Sequence, residues 1–137
     1  MKEVTLAYGL NLLLLGKVSR LYSDGLENTE YIYCDKGKFY YEDDALIGTT
    51  FFKTLNVLLK LEWPLRYKFF VTETYEDDKG RAYKYYEKEL NEKGFYILYE
   101  KNHKYLGVKE NQYCVVKNNK ECIFGTELKV ALNYFEE

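Results

Sequence analysis

This chain of 137 residues is poor in the residues that carry acid–base and nucleophilic chemistry. It has one histidine, one proline, one tryptophan and one methionine. Serine stands only at Ser19 and Ser23, neither of them in a nucleophile-elbow motif. The nine glycines occur singly, at expected turns, so no phosphate-cradling glycine loop is encoded. The cysteines Cys34, Cys114 and Cys122 are odd in number and lack metal-ligand spacing, as expected of small buried thiols in a reducing compartment. A Cys114–Cys122 bridge across a hairpin stays open. No long apolar run exists, since Leu12 to Leu15 is far too short to span a bilayer. No basic n-region and no small-residue cleavage site accompany it, which leaves a cytoplasmic protein as the simplest expectation. Charge is nearly balanced, at a formal −2, so no sequence-wide basic field draws the chain to nucleic acid or an anionic membrane.

What the chain has is tyrosine: sixteen of them, beside eight phenylalanines. A tyrosine ring packs like a hydrocarbon and keeps a polar tip, which suits half-wet sheet faces and binding surfaces. With 47% apolar and 31% charged residues the composition is globular. The length fits one compact domain, or two sub-lobes over 1–64 and 65–137.

Periodicity organises the chain. Leu6, Ala7, Leu10, Leu13 and Leu14 share one face of a helix expected over Glu3 to Leu15, with Gly16 as its stop. Tyr8, Leu12 and Leu15 add a second apolar stripe, so this helix is either deeply buried or meets another subunit. A short stretch, Val18 to Tyr22, and a loop over Ser23 to Asn28 follow. Glu30 to Cys34 and Lys38 to Tyr41 read as a hairpin turning at Asp35-Lys36-Gly37, with Tyr31 and Tyr33 on one face and Ile32 and Cys34 on the other. Phe51 to Glu62 repeats the helical spacing, capped by Thr49 or Thr50. Trp63 before Pro64 marks a change of direction. Leu65, Tyr67, Phe69 and Val71 alternate as a strand. Asp77 to Gly80 and Asn91 to Gly94 read as turns, with Arg81 to Leu90 read as a strand in preference to a short helix. Strands are expected at Phe95–Glu100, Tyr105–Val108, Tyr113–Lys117 and Glu121–Phe124, the last pair joined by Asn118-Asn119-Lys120. A terminal helix, Glu127 to Phe135, has Thr126 as cap. No strand–helix–strand rhythm of a parallel sheet occurs, so the class is α+β: helix, hairpin, helix, antiparallel meander, helix. A faint repeat of hairpin, Gly-Thr and amphipathic helix joins Tyr31–Leu61 to Tyr113–Phe135.

The candidate chemistry is recognition rather than catalysis. His103, in a Lys-Asn-His-Lys turn, is the best candidate base for a small enzyme and is read as a solvated turn residue. The clusters Glu42-Asp43-Asp44 and Glu76-Asp77-Asp78 match no calcium loop. As acidic loops they offer a partner-binding surface that imitates DNA phosphates, as an immunity protein or nuclease inhibitor would. No metal or cofactor is implied. Arg20, Arg66 and Arg81 are the chain's arginines, and the planar guanidinium suits phosphate or carboxylate. Tyr22 and Trp63 offer faces for stacking a base.

The pattern Leu6-Ala7, Leu10, Leu13-Leu14, Gly16-Lys17, Arg20, then Glu30-Tyr31-Ile32-Tyr33, then Leu55-Asn56, Leu58-Leu59 and Trp63 covers about Leu6 to Tyr67. It resembles small phage and prophage proteins of the Thoeris anti-defence type, the second, sponge-like class, and their relatives. Tyr22, or Leu21, stands where those proteins carry a first tryptophan. Lys60-Leu61-Glu62 replaces the acidic residues usual before the second, and Pro64 follows it. The resemblance implies a non-enzymatic homo-oligomer acting in the host cytoplasm. Such a protein sequesters a nucleotide signal or blocks a defence component, with Arg20 on phosphate and Tyr22 or Trp63 on the base.

Overall fold

The computed structural model describes residues 1–24, 31–72 and 95–137. Expectations for 73–94, including the turns at Asp77 and Asn91 and the strand at Arg81, lie outside the described residues, as does the loop over 25–28. The protein is α+β, with two compact units, Met1–Glu76 and Asp77–Glu137.

The first unit runs β1 (Lys2–Val4), α1 (Leu6–Leu14), β2 (Leu21–Ser23), β3 (Tyr31–Asp35), β4 (Lys38–Tyr41), β5 (Leu46–Gly48), α2 (Phe51–Lys60), α3 (Trp63–Arg66) and β6 (Phe69–Val71). Its six-stranded antiparallel sheet has the order β1-β6-β2-β3-β4-β5. The last strand in sequence therefore sits between the first and second, which is why the unit extends to Glu76 and not merely to Pro64. Asp24 fastens this long-range join: its carboxylate accepts from the Lys68 backbone N–H at 2.7 Å, and its own N–H donates to the Lys68 carbonyl at 3.1 Å.

Local chemistry sets the ends of α1. The Thr5 hydroxyl accepts from the Tyr8 N–H at 3.1 Å, so the helix starts after Thr5 and not at Glu3, and the residues before it are free to pair as β1. At the other end Gly16 takes φ +70°, the Gly16 N–H reaches the Leu13 carbonyl at 3.1 Å, and the Lys17 N–H reaches Leu12 at 2.9 Å. That double closure is a Schellman motif, and it satisfies carbonyls the helix end would leave open. Leu6 through Leu13 are all buried, Tyr8 and Leu12 included. The first of the two alternatives for α1 holds: both stripes are buried within one chain through Leu13, with Leu14 and Leu15 half-buried. The Thr50 hydroxyl caps α2 through the Lys53 N–H.

The strand expected from Leu65 is shorter than its alternation suggested. Glu62 adopts φ 62°, Trp63-Pro64-Leu65-Arg66 forms one helical turn, and Leu65 is 78% exposed. Proline presets the angle of a first helical turn and needs no N–H donor there, so the change of direction is made by helix, not strand. Only Phe69 and Val71 reach the core.

The second unit is a four-stranded antiparallel meander, β7 (Tyr96–Lys101), β8 (Lys104–Lys109), β9 (Gln112–Lys117) and β10 (Lys120–Ile123), followed by α4 (Leu128–Glu136). Two-residue turns join its strands at Asn102-His103, Glu110-Asn111 and Asn118-Asn119, with positive φ at every one of those positions. Paired positive φ values match the right-handed twist of the flanking strands. Lys120 consequently belongs to β10 rather than to the turn. Phe135, Ala131 and Leu128 bury the inner face of α4, Phe135 against Tyr99. Glu127, not Thr126, occupies the cap position of α4, without a side-chain hydrogen bond. Gly9 and Gly107 stand inside a helix and a strand, against the expectation that every glycine marks a turn. The faint repeat is matched only as hairpin followed by helix, β3–β4 before α2 and β9–β10 before α4, with β5 intervening in the first of the two.

The three cysteines are free thiols. Cys114 and Cys122 lie at adjacent register positions, opposite Ile123 and Val115 respectively, and so point to opposite faces of the β9–β10 pair. No bridge joins them. Cys122 instead donates to the Tyr134 hydroxyl at 3.5 Å.

Candidate functional site

Strand pairing decides which candidate residues meet. Leu21 opposes Ile32 and both are fully buried, while Tyr22 opposes Tyr31 on the other face. Tyr33 opposes Tyr40, and Tyr40 opposes Leu46. Tyr22 also opposes Phe70, which opposes Glu3. The sheet of the first unit therefore has a core face of Leu21, Ile32, Phe39, Phe69 and Val71, and an aromatic face of Phe70, Tyr22, Tyr31, Tyr33 and Tyr40. The rings of the aromatic face are half-buried.

Arg20 enters this face from the alternation of β2. With Leu21 pointing to the core, Arg20 and Tyr22 share the opposite side. The Arg20 guanidinium lies over the Tyr31 ring, 4.3 Å from its centroid. Hydrogen bonding to the Tyr22 side chain, then the nearby Tyr31 and Glu42, raise its pKa, so it holds its charge over any working range. Tyr22 and Tyr31 meet edge to face at 5.9 Å. Tyr31 and Tyr33 lie 6.4 Å apart, and Tyr33 stacks on Tyr40 at 5.2 Å with an interplanar angle of 19°. The Tyr33 hydroxyl donates to Asp44 Oδ1 at 2.5 Å, and this bond pushes the phenol up to about 12. The result is an exposed guanidinium seated on a tyrosine ring beside further oriented rings, the equipment for holding a planar anionic ligand.

Trp63 does not belong to this arrangement. Tyr41 opposes the core residue Ile32 and so lies on the helix side of the sheet. Trp63 packs there, 5.5 Å from the Tyr41 ring and 5.5 Å from Tyr67. It serves the join between α3 and the sheet, whereas Arg20 and Tyr22 stand on the opposite face.

The acidic candidates divide. Asp43 Oδ1 accepts from the Ala45 N–H at 3.0 Å, and Asp44 accepts from Tyr33, so both carboxylates shape the β4–β5 turn. Glu42 lies within electrostatic reach of Arg20. Glu76, Asp77 and Asp78 lie outside the described residues, as does Arg81. Arg66 faces Glu62 at 3.8 Å in an exposed pair of little energetic weight. His103 is exposed, at φ 63°, in the β7–β8 turn. Among the described residues no three His, Cys, Asp or Glu side chains gather as a metal ion would need, and no helix is long and apolar enough to cross a membrane.

Sequence reasoning missed Tyr31 beneath Arg20, and Tyr33 and Tyr40 as rings of the same face. The alternation of Tyr31 and Tyr33 was a readable signal for a shared face, but the pairing that brings β2 beside β3 crosses an intervening loop. No family model matches the chain, and neither a curated protein nor a solved structure matches it.

Proposed function

We propose that the protein is a non-enzymatic binding protein that sequesters a nucleotide-type signal on the aromatic face of its first unit. In this reading it is a phage or prophage inhibitor of bacterial immunity acting in the host cytoplasm. The observation that carries the reading is the Arg20 guanidinium, exposed and seated 4.3 Å over the Tyr31 ring on the face it shares with Tyr22. The anti-defence role and the homo-oligomeric state rest on the resemblance carried by Leu6 to Tyr67. Arg20 would meet phosphate, and the base would stack on the tyrosines instead of on Trp63.

Retention of an intact ligand is the test. Purified protein is incubated with cyclic nucleotide signals, desalted and denatured, and the released material is identified by mass. The expected outcome is an unaltered nucleotide from the wild type and roughly tenfold or weaker binding by Arg20→Ala, in line with the ~1.5–3 kcal/mol of a hydrogen bond to a charged group. Recovery of a hydrolysed product would contradict sequestration.

A further inference from the structure

The rings of the aromatic face are not equivalent. Tyr31 carries the Arg20 guanidinium, 4.3 Å from its centroid, and meets Tyr22 edge to face. Tyr33 and Tyr40 instead oppose each other across β3 and β4 and lie nearly parallel, at 19° and 5.2 Å. Arg20 precedes Leu21, the partner of Ile32, so its backbone falls level with Tyr33. On the far side Tyr40 opposes Leu46, a leucine that is 52% exposed. An arginine, two stacked rings and an apolar edge thus follow one another across the sheet. A tyrosine on a wet sheet face turns among rotamers, and a bond to its hydroxyl removes that freedom. Tyr33 has such a bond: its hydroxyl donates to Asp44 Oδ1 at 2.5 Å, and the phenol is pushed up to about 12, so the donor proton stays in place at neutral pH. Asp44 is itself held in the β4–β5 turn, where its N–H donates to the Tyr41 carbonyl at 2.9 Å.

We propose that Tyr33 and Tyr40 form the base-binding station of this site, and that Asp44 is its positioning residue, locking the Tyr33 ring without touching the ligand. This deepens the nucleotide reading and rests on it. The phosphate lies on Arg20, and the base stacks against the paired rings beside Leu46. A ring held in place before binding loses little rotamer freedom on binding, which is how Asp44 strengthens a ligand it does not meet.

Calorimetric titration with AMP and ribose 5-phosphate tests this, since the second is the first without its base. The wild type should bind AMP roughly fivefold or more tighter than ribose 5-phosphate, the contribution of one stacked base. Asp44→Ala should weaken AMP roughly threefold to tenfold and leave ribose 5-phosphate unchanged. Asp44→Asn, whose amide oxygen still accepts from Tyr33, should bind like the wild type. Tyr33→Phe should match Asp44→Ala, and the double variant should lose no more than either single one. Thermal melts verify that the variants fold, and the same variants are compared on any cyclic nucleotide that the wild type retains. A nucleotide bound no tighter than ribose 5-phosphate would overturn the station and leave Arg20 as a phosphate site. Additive losses in the double variant, or a loss in Asp44→Asn equal to that in Asp44→Ala, would overturn the role of Asp44 alone. No binding of AMP and no cyclic nucleotide retained would overturn the station and the nucleotide reading together.

Discussion

Gly9 has no side chain because α1 and β2 leave no room for one. A Cβ there would stand 2.5 Å from Leu21 Cδ1, and Leu21 is itself fully buried. Glycine in a helix interior costs about 1 kcal/mol against alanine, whereas overpacking a core costs about 1–3 kcal/mol. Gly9→Ala is therefore expected to lower stability by about 1 kcal/mol net. Leu21→Val, which removes the obstructing methyl, should recover part of that loss. A double-mutant cycle by urea denaturation reads the coupling, and strict additivity would show that the contact is not the cause. Gly48 is tighter still, because a Cβ there meets the Thr54 backbone nitrogen at 2.7 Å, where no side chain can swing away.

At the scale of elements, Lys104 and Lys117 hold α4 to its sheet. The β8–β9 register pairs Tyr105 with Val116, which sets Lys104 and Lys117 opposite each other. Like charges so placed repel. Here both ammonium groups turn to the C-terminal end of α4: Lys104 Nζ donates to the Phe135 carbonyl at 2.8 Å, and Lys117 Nζ donates to the Tyr134 carbonyl. The last turn of α4 has no basic residue of its own, so the strands supply the cations that the negative end of the helix dipole favours. Lys117 also covers the Tyr134 ring at 3.9 Å. Lys117→Met keeps an apolar stem and removes the charge and the donor. It should destabilise the protein by about 1–2 kcal/mol. A chemical denaturation midpoint equal to that of the wild type would refute this role.

Across the whole molecule the tyrosines predict an alkaline limit to stability. Tyr33 is raised from the ordinary 10.0 to about 12 by its bond to Asp44, and burial raises Tyr41 and Tyr113. In each case the folded state holds a proton that the unfolded chain releases. The unfolded state then binds fewer protons, so unfolding free energy falls with rising pH. The stabilisation is fully present below pH 10.0 and, for Tyr33, is lost between 10.0 and about 12. Melting temperature should drop over that window, and less steeply in Tyr33→Phe. Spectrophotometric titration should show a fraction of phenols ionising late in the native protein and together in denaturant.

Much of the fold was legible because its signals are local. The Asp35-Lys36-Gly37 turn, the Thr50 cap, the Gly16 stop and the alternation of Tyr31 and Tyr33 all act within a few residues, and each appears in the structure. Short edge strands such as β1 and β5, three residues each, carry no period long enough to read. The candidate site was legible only in part for the same reason. Arg20 and Tyr22 are two residues apart, and alternation alone puts them on one side. Their neighbours Tyr31, Tyr33 and Tyr40 arrive by pairing of β2 with β3 and β3 with β4, and Trp63 leaves by packing on Tyr41. By itself the sequence determined the α+β class, the hairpins, the helix ends and a tyrosine-rich sheet, because turn chemistry and periodicity are local. Only the tertiary structure decided that β6 enters the sheet between β1 and β2, that α1 is buried on all sides, and that Arg20 lies over Tyr31 on the face away from Trp63. Those outcomes depend on which distant strands pair, and a short apolar strand does not encode its partner in its own residues.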